Sequence, residues 1–129
     1  MTTRFSLLLQ QSPFAGQSFA SALQFARAAL AQGYLLEQIF LYEDAVLAVQ
    51  PGIDLPADEP DLAAQLASFC QQQQIPLLYC VTAAEKRGVF SDINADAKAD
   101  KSANATPPFI AAGLAEFAMR LTGTKVVQF

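Results

Sequence analysis

Cys80 ends an apolar run, Leu77-Leu78-Tyr79-Cys80-Val81, and is followed at once by Thr82-Ala83-Ala84-Glu85, which has the spacing of a capping box. In a capping box the Thr oxygen accepts from the amide three residues on, and the Glu reaches back to the cap's own amide. That spacing predicts a helix start just after Cys80. Unpaired amides at a helix start carry partial positive charge, and Lys86 and Arg87 follow, so a thiolate held there is stabilised from two directions. Cysteine reacts as the thiolate. Cys80 is therefore the candidate catalytic residue, with Thr82, Lys86 and Arg87 supporting the thiolate. The competing reading is a cysteine that only fills space, since free cysteine is among the most buried residue types.

The composition narrows what such a thiolate can do. The chain has no histidine, which removes Ser-His-Asp and Cys-His pairs and every His metal site. With only two cysteines, a zinc site would need carboxylates to complete it, so neither a metal nor any other cofactor is expected. Cys70 and Cys80 do not form a Cys-x-x-Cys pair, and Cys70 falls on the apolar face of a predicted helix, where it reads as core. A lone thiolate is still able to attack an activated sulfur, hold it as a persulfide and hand the outer sulfur to another thiol. That exchange needs no base and no second cysteine. Residues 10–16 contain one glycine and no lysine, so they are neither a P-loop nor a dinucleotide fingerprint. Glu43 and Asp44 read as a solvated turn before they read as acid or base, and Ser18 and Ser21 as cap and helix surface.

The elements that must position Cys80 follow from periodicity. Residues 5–9, apolar except for Ser6, predict a strand covered on both faces, followed by a loop with Pro13 and Gly16. Residues 18–32 place Phe19, Ala22, Leu23, Ala26, Ala29 and Leu30 at helical spacing, with Ser18 as cap and Gly33 just past the end. A second strand is predicted over 36–42, with Ile39 and Leu41 on one side and Phe40 and Tyr42 on the other. Residues 45–49 fit either a helical turn or a strand extension, and 51–60 are a loop by composition. Residues 61–73 carry Leu62, Leu66, Phe69 and Cys70 on one helical face, and Gln71 to Gln74 form its solvated end. Residues 77–81 are expected as the central strand, 82–87 as a short helix broken at Gly88, and 91–108 as a mobile polar loop. A helix over 110–121 and a strand over 125–129 complete the chain.

Alternating strands and helices in 129 residues predict one α/β domain: a parallel or mostly parallel sheet with helices on both faces. Ligands and reactive groups in such sheets sit beyond the carboxyl ends of the strands. Cys80, the loop 10–17, Glu43 and Asp44 should all lie there, which favours the reactive reading. The 53% hydrophobic and 16% charged composition supports a real core. There is no run of eighteen apolar residues, and residues 5–9 are too short for a signal-peptide core, so the expected location is cytoplasmic and the thiols reduced. A net charge of −4 with scattered basic residues argues against direct nucleic-acid binding. The ten Phe and three Tyr fit packing or subunit contacts better than base stacking.

The segment from Cys80 to Val89, Cys-Val-Thr-Ala-Ala-Glu-Lys-Arg-Gly-Val, resembles the active-cysteine segment of the DsrE-like sulfurtransferases, most closely their TusD branch. The likeness continues through Ser12, Pro13, Gln17 and residues 21–26 as first loop and helix, Phe40 to Tyr42 as second strand, and 109–114 with Val126 to Phe129 as the C-terminal helix and strand. It spans essentially the whole chain in colinear order. The resemblance implies a three-layer α/β/α fold and a hetero-oligomeric subunit working with TusB- and TusC-like chains. Its cysteine, matched by Cys80, would take sulfane sulfur from a TusA-like donor and pass it to a TusE-like acceptor for 2-thiolation of tRNA wobble uridine. The alternatives left by the sequence are a DsrE-type carrier in sulfur oxidation, a non-catalytic assembly subunit with Cys80 buried, and a redox sensor using Cys70 and Cys80.

Overall fold

Residues 5–9, apolar except for Ser6, lie in a strand whose two long edges are both paired. In the computed structural model, which describes residues 2–90, 105 and 107–129, this strand β1 (Arg4–Leu9) pairs in parallel with β2 (Leu35–Leu41) on one side and β5 (Lys125–Gln128) on the other. Beyond β2 come β3 (Leu77–Cys80) and β4 (Phe109–Ala112), also parallel, giving the order β4-β3-β2-β1-β5. Every pairing is parallel, so all five carboxyl ends open at one edge. The middle strand is β2, not the strand that ends in Cys80, which sits one place toward the β4 edge.

Alternation along the strands separates the faces. Leu7 and Leu9 pair with Ile39 and Leu41 on the side covered by α1 (Ser18–Ala31) and α2 (Leu62–Gln73). Phe25 of α1 meets Phe5 edge-on at 5.2 Å and Phe129 at 5.8 Å. The opposite side carries Phe40, Leu78 and Cys80 and is covered by the short α4 (Leu114–Met119), whose Phe117 stacks 4.7 Å from Phe40. Gln38 is polar but fully buried on this side. Its Nε2 donates to the Phe117 carbonyl (3.1 Å) and to Ser6 Oγ (3.2 Å), fastening α4 to the sheet. Its Oε1 has no partner among the described residues.

Several elements differ from the sequence expectations. Ser18 is the first helical residue of α1 rather than its cap; Gln17 occupies the cap position without a side-chain bond, and Ser18 Oγ is buried with no partner among the described residues. Asp61 does cap α2, accepting from the Ala64 amide at 3.0 Å, and α2 ends at Gln74 in the left-handed region. Residues 45–49, undecided in the sequence, belong to a 3-10 helix, Glu43–Val49. The single helix expected over 110–121 is instead β4, a break at Gly113, and α4. Ile110 and Ala112 suit a strand as well as a helix, and pairing with Leu78 and Cys80 decides in favour of the strand. The predicted loop over 91–108 falls almost wholly outside the described residues. No helix among the described residues is long and apolar enough to cross a membrane.

Candidate active site

β3 delivers Cys80 to the carboxyl edge of the sheet, and α3 (Val81–Glu85) begins on the next residue. Cys80 is itself the cap residue of this helix, with extended backbone and no side-chain cap bond. The capping box does not form: Thr82 lies one residue inside the helix, where its hydroxyl is no longer placed to cap. The amides of the first turn therefore start immediately after the cysteine, closer to it than the sequence spacing implied. Gly88, at φ 76, turns the chain after α3, and Val89 is buried behind it.

Cys80 is 3% exposed and lines a pocket of about 260 Å³ with Tyr42, Glu43, Thr82, Ala83, Lys86, Arg87 and Leu114. All four residues singled out by the sequence, Cys80, Thr82, Lys86 and Arg87, thus share one cavity, while Glu85 is exposed and does not line it. The two basic residues have different surroundings. Arg87 is held by carboxylates: its Nε donates to Asp44 Oδ1 at 2.9 Å, its Nη2 lies 3.5 Å from Glu43 Oε2, and its Nη1 donates to the Ala83 carbonyl at 2.9 Å. Lys86 makes no ion pair among the described residues. Arg87 is therefore a clamp between α3 and the start of the 3-10 helix, whereas Lys86 lines the pocket without a carboxylate partner among the described residues.

Tyr42 and Leu114 were not singled out as site residues. Leu41 pairs with Tyr79, so the next residues along, Tyr42 and Cys80, are neighbours at the ends of adjacent strands. Both also face the α4 side, and that adjacency at the carboxyl edge was the available signal. Glu43 beside it, then burial, then Cys80 push the Tyr42 hydroxyl up from its ordinary value. Leu114 comes from α4, which the sequence reading began four residues too early. The loop 10–17 follows β1 at the same edge but does not line the pocket.

Cys70 is 1% exposed on α2, and burial pushes its thiol up to about 12. Both cysteines are free. A wider groove of about 870 Å³ runs between α1 and α2 past Arg27, Asp61 and Phe69, but it contains no cysteine and shares no residue with the Cys80 pocket. No group of three or more metal-ligating side chains occurs among the described residues.

A model of the DsrE/DsrF-like family matches residues 4–128. The chain belongs to the DsrE/DsrF-like family. Within it, the chain is 35% identical over 127 residues to sulfurtransferase TusD of Cronobacter sakazakii, covering 98% of this chain and 99% of that one. It is 36% identical over 126 residues to sulfurtransferase TusD of Pectobacterium atrosepticum, covering 97% and 98%. A protein named sulfurtransferase TusD homolog, from Vibrio parahaemolyticus, is 35% identical over 127 residues, covering 97% and 96%. Among solved structures, the crystal structure of the ychN protein from E. coli superposes with a TM-score of 0.75 at 22% identity over 100% of both chains. That likeness bears out the single α/β domain.

Proposed function

We propose that this DsrE/DsrF-like sulfurtransferase carries sulfane sulfur as a persulfide on Cys80. The observation that carries the reading is the placement of Cys80 on the pocket floor at the first turn of α3, with Lys86 in the same pocket. The thiolate of Cys80 attacks the outer sulfur of a donor persulfide, R–S–SH. The Cys80 S–S bond forms as the donor's S–S bond breaks, and the donor leaves as R–S⁻. An acceptor thiolate then attacks the outer sulfur of Cys80–S–SH, regenerating the Cys80 thiolate. There is no net oxidation in either step. Lys86 and the first-turn amides of α3 offset the negative charge that moves along the three sulfurs. The helix has only five residues, so the nearby amides matter more than any dipole along its length.

Burial of Cys80 suits this chemistry. A cysteine residue 3% exposed is shielded from bulk solvent, while a pocket of about 260 Å³ admits a sulfur-bearing tip rather than a flat protein surface. The implied partners are a TusA-like donor and a TusE-like acceptor, with TusB- and TusC-like subunits in a cytoplasmic hetero-oligomer serving 2-thiolation of tRNA. A net charge of −4 supports contact with proteins rather than RNA. The same burial is what a non-catalytic assembly subunit would show, so the test must separate the two. Intact-mass analysis after incubation with a cysteine desulfurase, cysteine and a TusA-like carrier should show additions of one sulfur in wild type and Cys70→Ser and none in Cys80→Ser. Additions that survive in Cys80→Ser would refute the assignment. No addition in any variant, with the TusB- and TusC-like subunits present, would establish the assembly role instead.

A further inference from the structure

Cys80 and most of its pocket wall come from one short stretch of chain, since Thr82, Ala83, Lys86 and Arg87 all line the cavity. That wall is α3 and the turn after it, and α3 has only five residues, too few for a helix to hold its own shape in water. Its setting must therefore come from what it is tied to. α3 packs on the 3-10 helix Glu43–Val49, and Ala83 and Ala84 of the one and Ala45 and Val46 of the other are buried. The same 3-10 helix grips Arg87 from both its ends. At its start, Asp44 Oδ1 accepts from Arg87 Nε at 2.9 Å, and at its C-cap Gln50 Nε2 donates to the Arg87 carbonyl at 3.4 Å. Arg87 Nη1 donates to the Ala83 carbonyl at 2.9 Å, so one guanidinium links Asp44 to the first turn of α3. The other carboxylate, Glu43, lies 3.5 Å from Arg87 Nη2, too long to fix the guanidinium by itself.

We propose that Asp44 is a positioning residue of sulfur transfer: by holding Arg87 it sets α3, and with it the wall that carries Thr82 and Lys86, against Cys80. The inference rests on Cys80 being the sulfur carrier. Asp44 does not line the pocket, and its side chain is 60% exposed, so its effect on the sulfur is indirect. A carboxylate acting by charge alone would slow attack on a donor sulfur, because it disfavours the thiolate that attacks. Holding the wall does the opposite, and the sign of the effect separates the two.

The test is single-turnover sulfur loading of Cys80, read by intact mass against the concentration of the persulfidated TusA-like carrier. Wild type is compared with Asp44→Ala, Asp44→Asn, Arg87→Ala and the Asp44→Ala/Arg87→Ala double variant, with hydrogen exchange of the 81–89 peptide alongside. The amides of Lys86, Arg87 and Val89 are bonded back to the Thr82 and Ala84 carbonyls, so their exchange reports whether α3 is held. Asp44→Ala should lower the limiting rate about threefold, a fraction of the roughly hundredfold that a misplacement of ~1 Å can cost. It should leave the half-saturating carrier concentration where it was and speed exchange over 81–89. Asp44→Asn keeps an acceptor oxygen for Arg87 Nε and should recover most of the rate. In the Arg87→Ala background, Asp44→Ala should change nothing further, because Asp44 acts only through Arg87. A limiting rate raised in both Asp44 variants would mean charge alone, and a change confined to half-saturation would mean that Asp44 meets the carrier. A lower melting temperature with the rate unchanged would mean a purely structural bond. Each of these overturns the proposal, as does unchanged exchange in Asp44→Ala. Faster exchange in Asp44→Ala with no loading in wild type, the TusB- and TusC-like subunits being present, would refute the carrier reading and leave Asp44 as the residue that holds α3.

Discussion

Replacing Arg87 by Ala removes the clamp that ties the helix after Cys80 to the end of β2. Among the described residues the Arg87 side chain makes three polar contacts: 2.9 Å to Asp44, 3.5 Å to Glu43 and 2.9 Å to the Ala83 carbonyl. The Arg87 side chain is 23% exposed, but those of Asp44 and Glu43 are 60% and 50% exposed, so solvent screens both ion pairs. The Asp44 pair contributes at most about 1 kcal/mol and the longer Glu43 pair a few tenths. The bond to the carbonyl of buried Ala83 adds about 1 kcal/mol, because its loss leaves an acceptor without its partner. Arg87→Ala should therefore destabilise the fold by about 2 kcal/mol, a fall in melting temperature of roughly 8 °C for a chain of this length. Arg87→Lys keeps the charge but not the planar fork, and should cost about half as much. Urea unfolding in low salt and in about 0.5 M NaCl is the assay: the difference between wild type and Arg87→Ala should shrink in salt by less than half, since screening reaches the ion pairs and not the carbonyl bond. A loss below about 0.5 kcal/mol, or one abolished by salt, would refute the view of Arg87 as a clamp and return it to the role of a free cation beside the sulfur.

Cys70 gives a pH signature with a definite sign. Its thiol is held protonated in the fold up to about 12, against an ordinary value of 9.0, so above pH 9 only the unfolded chain releases the proton and stability falls as pH rises toward 12. Wild type should lose up to about 1.4 kcal/mol per pH unit more than Cys70→Ala over that alkaline range, read by urea unfolding at stepped pH. Phe117→Ala should cost about 3 kcal/mol in the same assay, because Phe117 is the buried anchor of α4 against Phe40. Asp61→Ala should cost about 1 kcal/mol through loss of the bond to the Ala64 amide, with Asp61→Asn close to wild type. Lys86→Gln should slow sulfur loading on Cys80 about threefold at low salt and less at high salt, measured by intact mass against time.

What the sequence by itself determined was local. The largely apolar stretches at 5–9, 36–42 and 77–81 and the helical spacing over 18–32 and 61–73 are patterns whose period is set by backbone geometry, and they reappear, with ends shifted by a residue, as β1, β2, β3, α1 and α2. Cys80, Thr82, Lys86 and Arg87 are close in sequence around one strand-to-helix turn, so their meeting in one pocket needed no long-range folding. Tertiary structure decided everything that depends on a neighbour distant in the chain. Residues 109–112 are a strand because β3 offers them hydrogen bonds at its free edge, a choice that periodicity over four residues cannot make. The capping box failed because the helix began two residues earlier than its spacing required, leaving Thr82 inside the first turn. Gln38, polar within an apolar strand, is explained only by the Phe117 carbonyl and the Ser6 hydroxyl that its amide meets across the fold. The division of labour between the two cations is of the same kind. Lys86 and Arg87 are equivalent in the sequence, and only the parallel pairing of β2 with β3, which brings Glu43 and Asp44 alongside α3, binds Arg87 to carboxylates and leaves Lys86 without an ion pair among the described residues.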